Sequence, residues 1–125
     1  MQLPNLELHS TQIASSLSVE APPSIHLRGD ASTTPVAAIL DPELTVGLPP
    51  RPTAGTGIDA LTHAIESLTS KGSSPVSAAY AHQAVKLISR ALPIAVKDGS
   101  NIDARGDMLM GAHLAGLALT LSGLG

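Results

Sequence analysis

The sequence predicts a mainly α chain of one modest domain, with one or two short strands ahead of its helices. The ten prolines concentrate in the first half, where they favour loops and short extended runs over helix. Beyond Pro52 the apolar residues recur at helical period in three stretches, each bounded by capping or breaking residues. Hydrophobic residues at 43% against 14% charged supply ample apolar surface for a folded core.

Residues 1–24 hold no sustained period and end in Ala21-Pro22-Pro23, so they read as an irregular lead-in. Ile25-His26-Leu27 and Val36-Ala37-Ala38-Ile39-Leu40 are apolar runs expected to form two strands joined by a loop, with Asp41-Pro42 stopping the second. Arg28-Gly29-Asp30, between them, has no disulfide-braced loop to present it and carries no adhesive function here.

Pro49-Pro50-Arg51-Pro52 fixes an extended approach, and a helix is expected to begin once Thr53 is passed and to run to about Thr69. In it Ile58, Leu61, Ile65 and Leu68 fall at i, i+3, i+7 and i+10 and are expected to face the core, with Lys71-Gly72-Ser73-Ser74 as the stop. Ser74 as N-cap with Pro75 behind it opens a second helix carrying Val76, Tyr80, Ala84, Leu87, Ile88 and Leu92. Pro93 is expected to kink it or to start a short follow-on ending at Asp98-Gly99. Ser100 and Asp103 have capping-box spacing for a third helix through Met108, Ala112, Ala115, Gly116 and Leu119, whose small residues predict close packing.

Composition removes several classes of function. Without cysteine there is no disulfide, zinc-finger or thiol-nucleophile chemistry. A net charge of −3, no basic run and a single aromatic, Tyr80, leave neither the electrostatic footprint nor the stacking platform of a nucleic-acid binder. The first residues lack the basic and apolar regions of a secretory signal, which makes a cytoplasmic setting the expectation. Met108 to Gly125 has no charged side chain, but it is shorter than the roughly 20 residues a bilayer span needs and contains His113, so a buried helix of a soluble protein is expected. No Gly-x-Ser-x-Gly elbow, phosphate-binding P-loop or His-Glu-x-x-His is present.

Chemistry concentrates in Gly57-Ile58-Asp59-Ala60-Leu61-Thr62-His63-Ala64-Ile65-Glu66. Asp59 and His63 lie four residues apart, one above the other on a helix face, and Glu66 extends that polar strip along the border of the apolar stripe. A carboxylate and an imidazole aimed into a cleft can hold a divalent cation; a hydrogen bond between the two is the simpler reading of spacing alone. Gly55, Gly57 and Ala60 match a nominal dinucleotide fingerprint, but that motif requires a strand immediately before it, where Pro-Pro-Arg-Pro stands. The small residues still allow an anion or a backbone close to the helix start. His82 and His113 read as packed or solvent-edge histidines, and His9 and His26 belong to no constellation.

In order and spacing, Asp41-Pro42-Glu43-Leu44-Thr45, Leu48-Pro49-Pro50-Arg51 and Thr53-Ala54 through Glu66 resemble the iron-containing (group III) alcohol dehydrogenase family. The likeness continues through Ala84-Val85-Lys86-Leu87-Ile88, Leu92-Pro93, Ala104-Arg105 and Gly111-Ala112-His113-Leu114-Ala115-Gly116 to Gly123-Leu124-Gly125, covering about residues 36 to 125 and more weakly 25 to 35. The resemblance implies a dehydroquinate synthase-like fold, with 25–48 as remnant strands of the nucleotide-binding domain and 49–125 as the first helices of an incomplete helical metal-binding domain. It implies that Asp59 and His63 are two of four metal ligands, one Asp and three His, around Fe²⁺ or sometimes Zn²⁺. In the family the other two histidines follow the Gly-Leu-Gly, and His113, where the family has an apolar side chain, does not replace them. No further catalytic residue and no cofactor-binding residue is assigned.

The implied activity is reversible hydride transfer between a small alcohol or aldehyde and NAD or NADP, in a cytoplasmic homo-oligomer with neither nucleic acid nor membrane as partner. The chain alone is expected to be weakly active or inactive. One alternative is a maleylacetate reductase-like member; those enzymes often carry Asn in the place of Asp59 and work without metal. The other is a non-catalytic remnant or interaction module that dimerises through its helical faces.

Overall fold

The computed structural model describes residues 16–20, 24–28 and 35–123. Strands β1 (Ser16–Glu20) and β2 (Ser24–Arg28) pair antiparallel, with Ser16 opposite Arg28 and Glu20 opposite Ser24. A 3₁₀ turn, Pro42–Thr45, leads into three helices: α1 (Pro50–Thr69), α2 (Pro75–Lys97) and α3 (Ile102–Ser122). The class is mainly α, as predicted, and no helix among the described residues is long and apolar enough to cross a membrane.

The strand expected at Val36–Leu40 does not form. The segment is irregular, and Val36 and Ile39 stand fully in solvent, since an extended run with no neighbour to satisfy its N–H and C=O groups has nothing to stabilise it as a strand. The pairing in the first part of the chain instead joins β2, over Ile25–Leu27, to a segment inside residues 1–24 that had read as irregular.

α1 begins at Pro50, earlier than the prolines suggest. Pro50 and Pro52 sit in the first turn, where a backbone N–H has no intrahelical partner and its loss costs nothing. α2 opens on the expected cap: the N–H of Ser77 donates to Ser74 Oγ at 3.2 Å and the N–H of Ser74 to Ser77 Oγ at 2.8 Å. Such a reciprocal cap contributes about 1 kcal/mol. α2 then continues through Pro93 to Lys97; Ser89, whose carbonyl Pro93 cannot serve, lies on the exposed side of the helix, open to solvent. α3 is capped by Asn101, whose Oδ1 accepts from the N–H of Ala104 at 2.9 Å, and not by Ser100. Ser100 instead donates its hydroxyl to Asp98 Oδ1 at 2.6 Å. α3 stops at Gly123, whose φ of 68° suits glycine.

The three helices pack through small side chains. α1 buries Thr53, Gly57, Ala60, Ala64 and Ser67, so its ladder of small residues, one position behind the Ile58–Leu68 stripe at the same spacing, faces the core. The expected core stripe is the outer face: Ile58 is 54% and Ile65 48% exposed, with Leu61 and Leu68 between the two sides. The preference follows from distance. A β-carbon at Gly57 would run into Leu92 Cδ1, and one at Gly111 would lie 2.6 Å from Ile88 Cγ1, so the axes approach too closely for large residues on both partners. Val76 and Tyr80 of α2 likewise face outward, while Ala84, Ile88 and Leu92 join Ala60, Ala64 and Ala115 in the central cluster.

Candidate metal centre

Asp59 lies in the third turn of α1 and His63 one turn further on, both off the face that buries Ala60 and Ala64. Asp59 Oδ1 lies 3.8 Å from His63 Nε2, with the Asp59 side chain 66% and the His63 side chain 33% exposed. At that separation the two are not hydrogen-bonded. Glu66 is exposed one turn further along. The expected polar strip is therefore present, and of its members only His63 is half-buried.

The donor set suits a divalent cation of borderline hardness. One carboxylate oxygen and one imidazole nitrogen 3.8 Å apart fall within the span that two ligands at about 2.0–2.2 Å can bridge. Two donors do not complete a coordination sphere, and among the described residues no group of three or more His, Asp or Glu side chains converges. His82 is exposed, its Nδ1 2.8 Å from the Ala78 carbonyl of its own helix, and His113 is half-buried on α3. Neither joins the pair. His26 lies in β2, and His9 falls outside the described residues.

Sequence reasoning missed the role of Arg105. It is 3% exposed, and its guanidinium reaches three separate segments: Nε donates to the Gly99 carbonyl, Nη1 to Thr53 Oγ1 and Nη2 to the Leu48 carbonyl, each at 2.9 Å. No carboxylate pairs with it among the described residues. The signal was a cation in the opening turns of α3, a place the helix dipole disfavours, so that something else has to hold it there. At the opposite end of the bundle Ser122 donates its hydroxyl to Ser67 Oγ at 2.9 Å, and Ser70 donates to the Ser122 carbonyl at 2.9 Å. α1 is thus pinned by buried polar contacts at both ends, with Asp59 and His63 between them.

The described residues thus form a three-helix unit closed by small side chains, with a carboxylate and an imidazole one turn apart on the outer side of α1. The sequence profile described as Fe-containing alcohol dehydrogenase family, C-terminal, matches residues 53–125. The chain is 55% identical over 87 residues to long-chain-alcohol dehydrogenase 1 of Geobacillus thermodenitrificans, a match covering 70% of this chain and 22% of that protein. It is 49% identical over 96 residues to the NAD-dependent methanol dehydrogenase of Bacillus methanolicus, covering 77% of this chain and 25% of that one. Among solved structures it resembles sulfoacetaldehyde reductase from Bifidobacterium kashiwanohense in complex with NAD⁺, with a TM-score of 0.83 and 38% identity over 89% of this chain and 30% of that chain. The chain belongs to the iron-containing alcohol dehydrogenase family, and it spans about a quarter of the length of the curated relatives it matches.

Proposed function

We propose that these residues are part of a metal-dependent, NAD(P)-linked alcohol dehydrogenase and supply half of its metal site. The observation that carries the reading is the placement of Asp59 and His63, 3.8 Å apart on the outer side of α1, inside the segment that matches the family. Asp59 contributes a hard anionic oxygen and His63 a neutral imidazole nitrogen, the mixed set that Fe²⁺ and Zn²⁺ accept. When bound, the cation supplies the Lewis acidity that alcohol–carbonyl interconversion needs, and the nicotinamide of NAD or NADP carries the hydride. The half-burial of His63 limits the rotamers and hydration of its ring and so holds a nitrogen ready for a ligand. Asp at position 59 favours this over a maleylacetate reductase-like, metal-free member. Residues 25–48 are then the end of the nucleotide-binding domain and 49–125 the first helices of the metal domain, in a cytoplasmic homo-oligomer acting on a small alcohol or aldehyde.

The test is anaerobic calorimetric titration of the 125-residue chain with Fe²⁺ and with Zn²⁺. Binding by the unaltered chain that is lost in Asp59→Asn and in His63→Ala supports the reading, and equal heats in all three overturn it.

A second reading has its own observation. Ile58 and Ile65 form an apolar outer face on α1, and α3 from Met108 to Ser122 carries no charge on any side. Those faces suit a non-catalytic module that dimerises through its helices. Metal indifference combined with a stable dimer in sedimentation favours it.

A further inference from the structure

We propose that Arg105 is a positioning residue for the Asp59–His63 pair, because it sets where α1 lies along α3; the inference rests on the metal-site reading given above. α1 has no side-chain cap. Its N-cap is Pro49, and prolines at 50 and 52 leave few N–H groups at its start for any cap to satisfy. Arg105 holds that start instead. From α3 it grips the Leu48 carbonyl just before the helix and the Thr53 hydroxyl in its first turns, while Nε grips Gly99 in the α2–α3 connection. Thr53 Oγ1 in turn donates to the Pro49 carbonyl at 2.9 Å, so the guanidinium, the hydroxyl and the helix entrance form one continuous chain of hydrogen bonds.

The apolar part of the α1 contact is made by Gly57, Ala60 and Ala64, with Leu92 and Met108 seated over Gly57, and none of these contacts carries a hydrogen-bonding demand. The contacts with directional demands are the two polar pins, Arg105–Thr53 at one end and Ser122–Ser67 at the other. Asp59 and His63 stand between them on the same rigid helix, so an error at the Arg105 pin is transmitted to both donor atoms. A guanidinium suits the task where an ammonium does not, because its fixed planar fork addresses three acceptors at once.

The test uses the 125-residue chain with Arg105→Met, Arg105→Lys and the milder Thr53→Val, each compared with Ile88→Val, a core change of modest cost away from the pin. Zn²⁺ affinity is read by the shift of the His63 imidazole resonances, and the helix register by nuclear Overhauser contacts of Gly57 with the Met108 methyl, which lie together in the structure. The expected result is an affinity about 10-fold weaker in Arg105→Met and Thr53→Val, the size of loss that follows when support behind a metal ligand is removed. Partial recovery in Arg105→Lys, no change in Ile88→Val and weakened Gly57–Met108 contacts accompany it. Unaltered contacts in folded Arg105→Met or Thr53→Val overturn the proposal whether or not metal binds, as does loss of affinity in Ile88→Val equal to theirs. An unaltered chain whose His63 ignores Zn²⁺ overturns the metal reading itself, and register shifts without a metal response mark that outcome as distinct.

Discussion

Ser122 donates its hydroxyl to Ser67 Oγ at 2.9 Å, joining the last turn of α3 to the closing turns of α1 where both side chains are buried. In this enclosed place the cost of losing the bond is dominated by the polar atom left behind. Ser122→Ala is expected to lower stability by about 1–3 kcal/mol, as is Ser67→Ala, whereas the double change costs less than the sum because no orphaned hydroxyl remains. Urea unfolding of the four proteins measures the coupling, and strict additivity would show that the bond contributes nothing.

Two glycine-to-alanine changes separate packing from helix propensity. At Gly111 the added carbon meets Ile88 Cγ1 at 2.6 Å and a backbone neighbour beyond it, so overpacking outweighs the better helix former and stability falls by about 1–3 kcal/mol. At exposed Gly55 nothing lies within 4 Å, and the same change raises stability by up to about 1 kcal/mol. Equal effects at the two positions in urea unfolding would contradict the close approach of α2 and α3.

The pH dependence at the end of α2 has a defined sign. Asp98 accepts from the Ser100 hydroxyl at 2.6 Å and from the Ser100 N–H at 3.1 Å, and these bonds hold its carboxyl below the ordinary value of 3.8. A carboxyl whose pKa is lowered on folding contributes stability that is present above its unfolded pKa and disappears as pH falls through the folded one. The stability difference between the unaltered chain and Ser100→Ala is therefore expected to be constant near neutrality and to shrink below about pH 4. A difference that widens toward acid would reverse the assignment.

How far the fold could be read ahead of the structure depended on which physical rule dominated locally. The Ser74-Pro75 start of α2 is a local matter of caps and dihedrals, and the serine cap stands where the sequence put it. The core face of α1 is not local. Ile58-Leu61-Ile65-Leu68 and Gly57-Ala60-Ala64-Ser67 have identical spacing, and only the close approach of α2 and α3, where Leu92 and Met108 meet Gly57, decides that the small set turns inward. Asp59 and His63 could be placed on one face because four-residue spacing is a property of the helix itself, while their separation and unequal exposure needed the neighbouring helices. Arg105 escaped because its three partners lie 6, 52 and 57 residues away, and no pattern along the chain announces such a convergence.

The outward stripe of α1 yields the last expectation. Ile58 and Ile65 are about half exposed and take no part in the core cluster, so their apolar surface contributes little to the stability of the three-helix unit. Replacing either by a charged residue, Ile58→Lys or Ile65→Lys, is expected to change unfolding free energy by no more than about 0.5 kcal/mol. The same changes place a solvated ammonium in the middle of the largest apolar face of α1, so any association of the chain through that face weakens. Sedimentation velocity over a range of concentrations, run beside urea unfolding, reads both quantities. Loss of fold in either variant would return the stripe to the core, and association unchanged in both would move the self-contact surface to α3, where Met110 and Leu121 are also exposed.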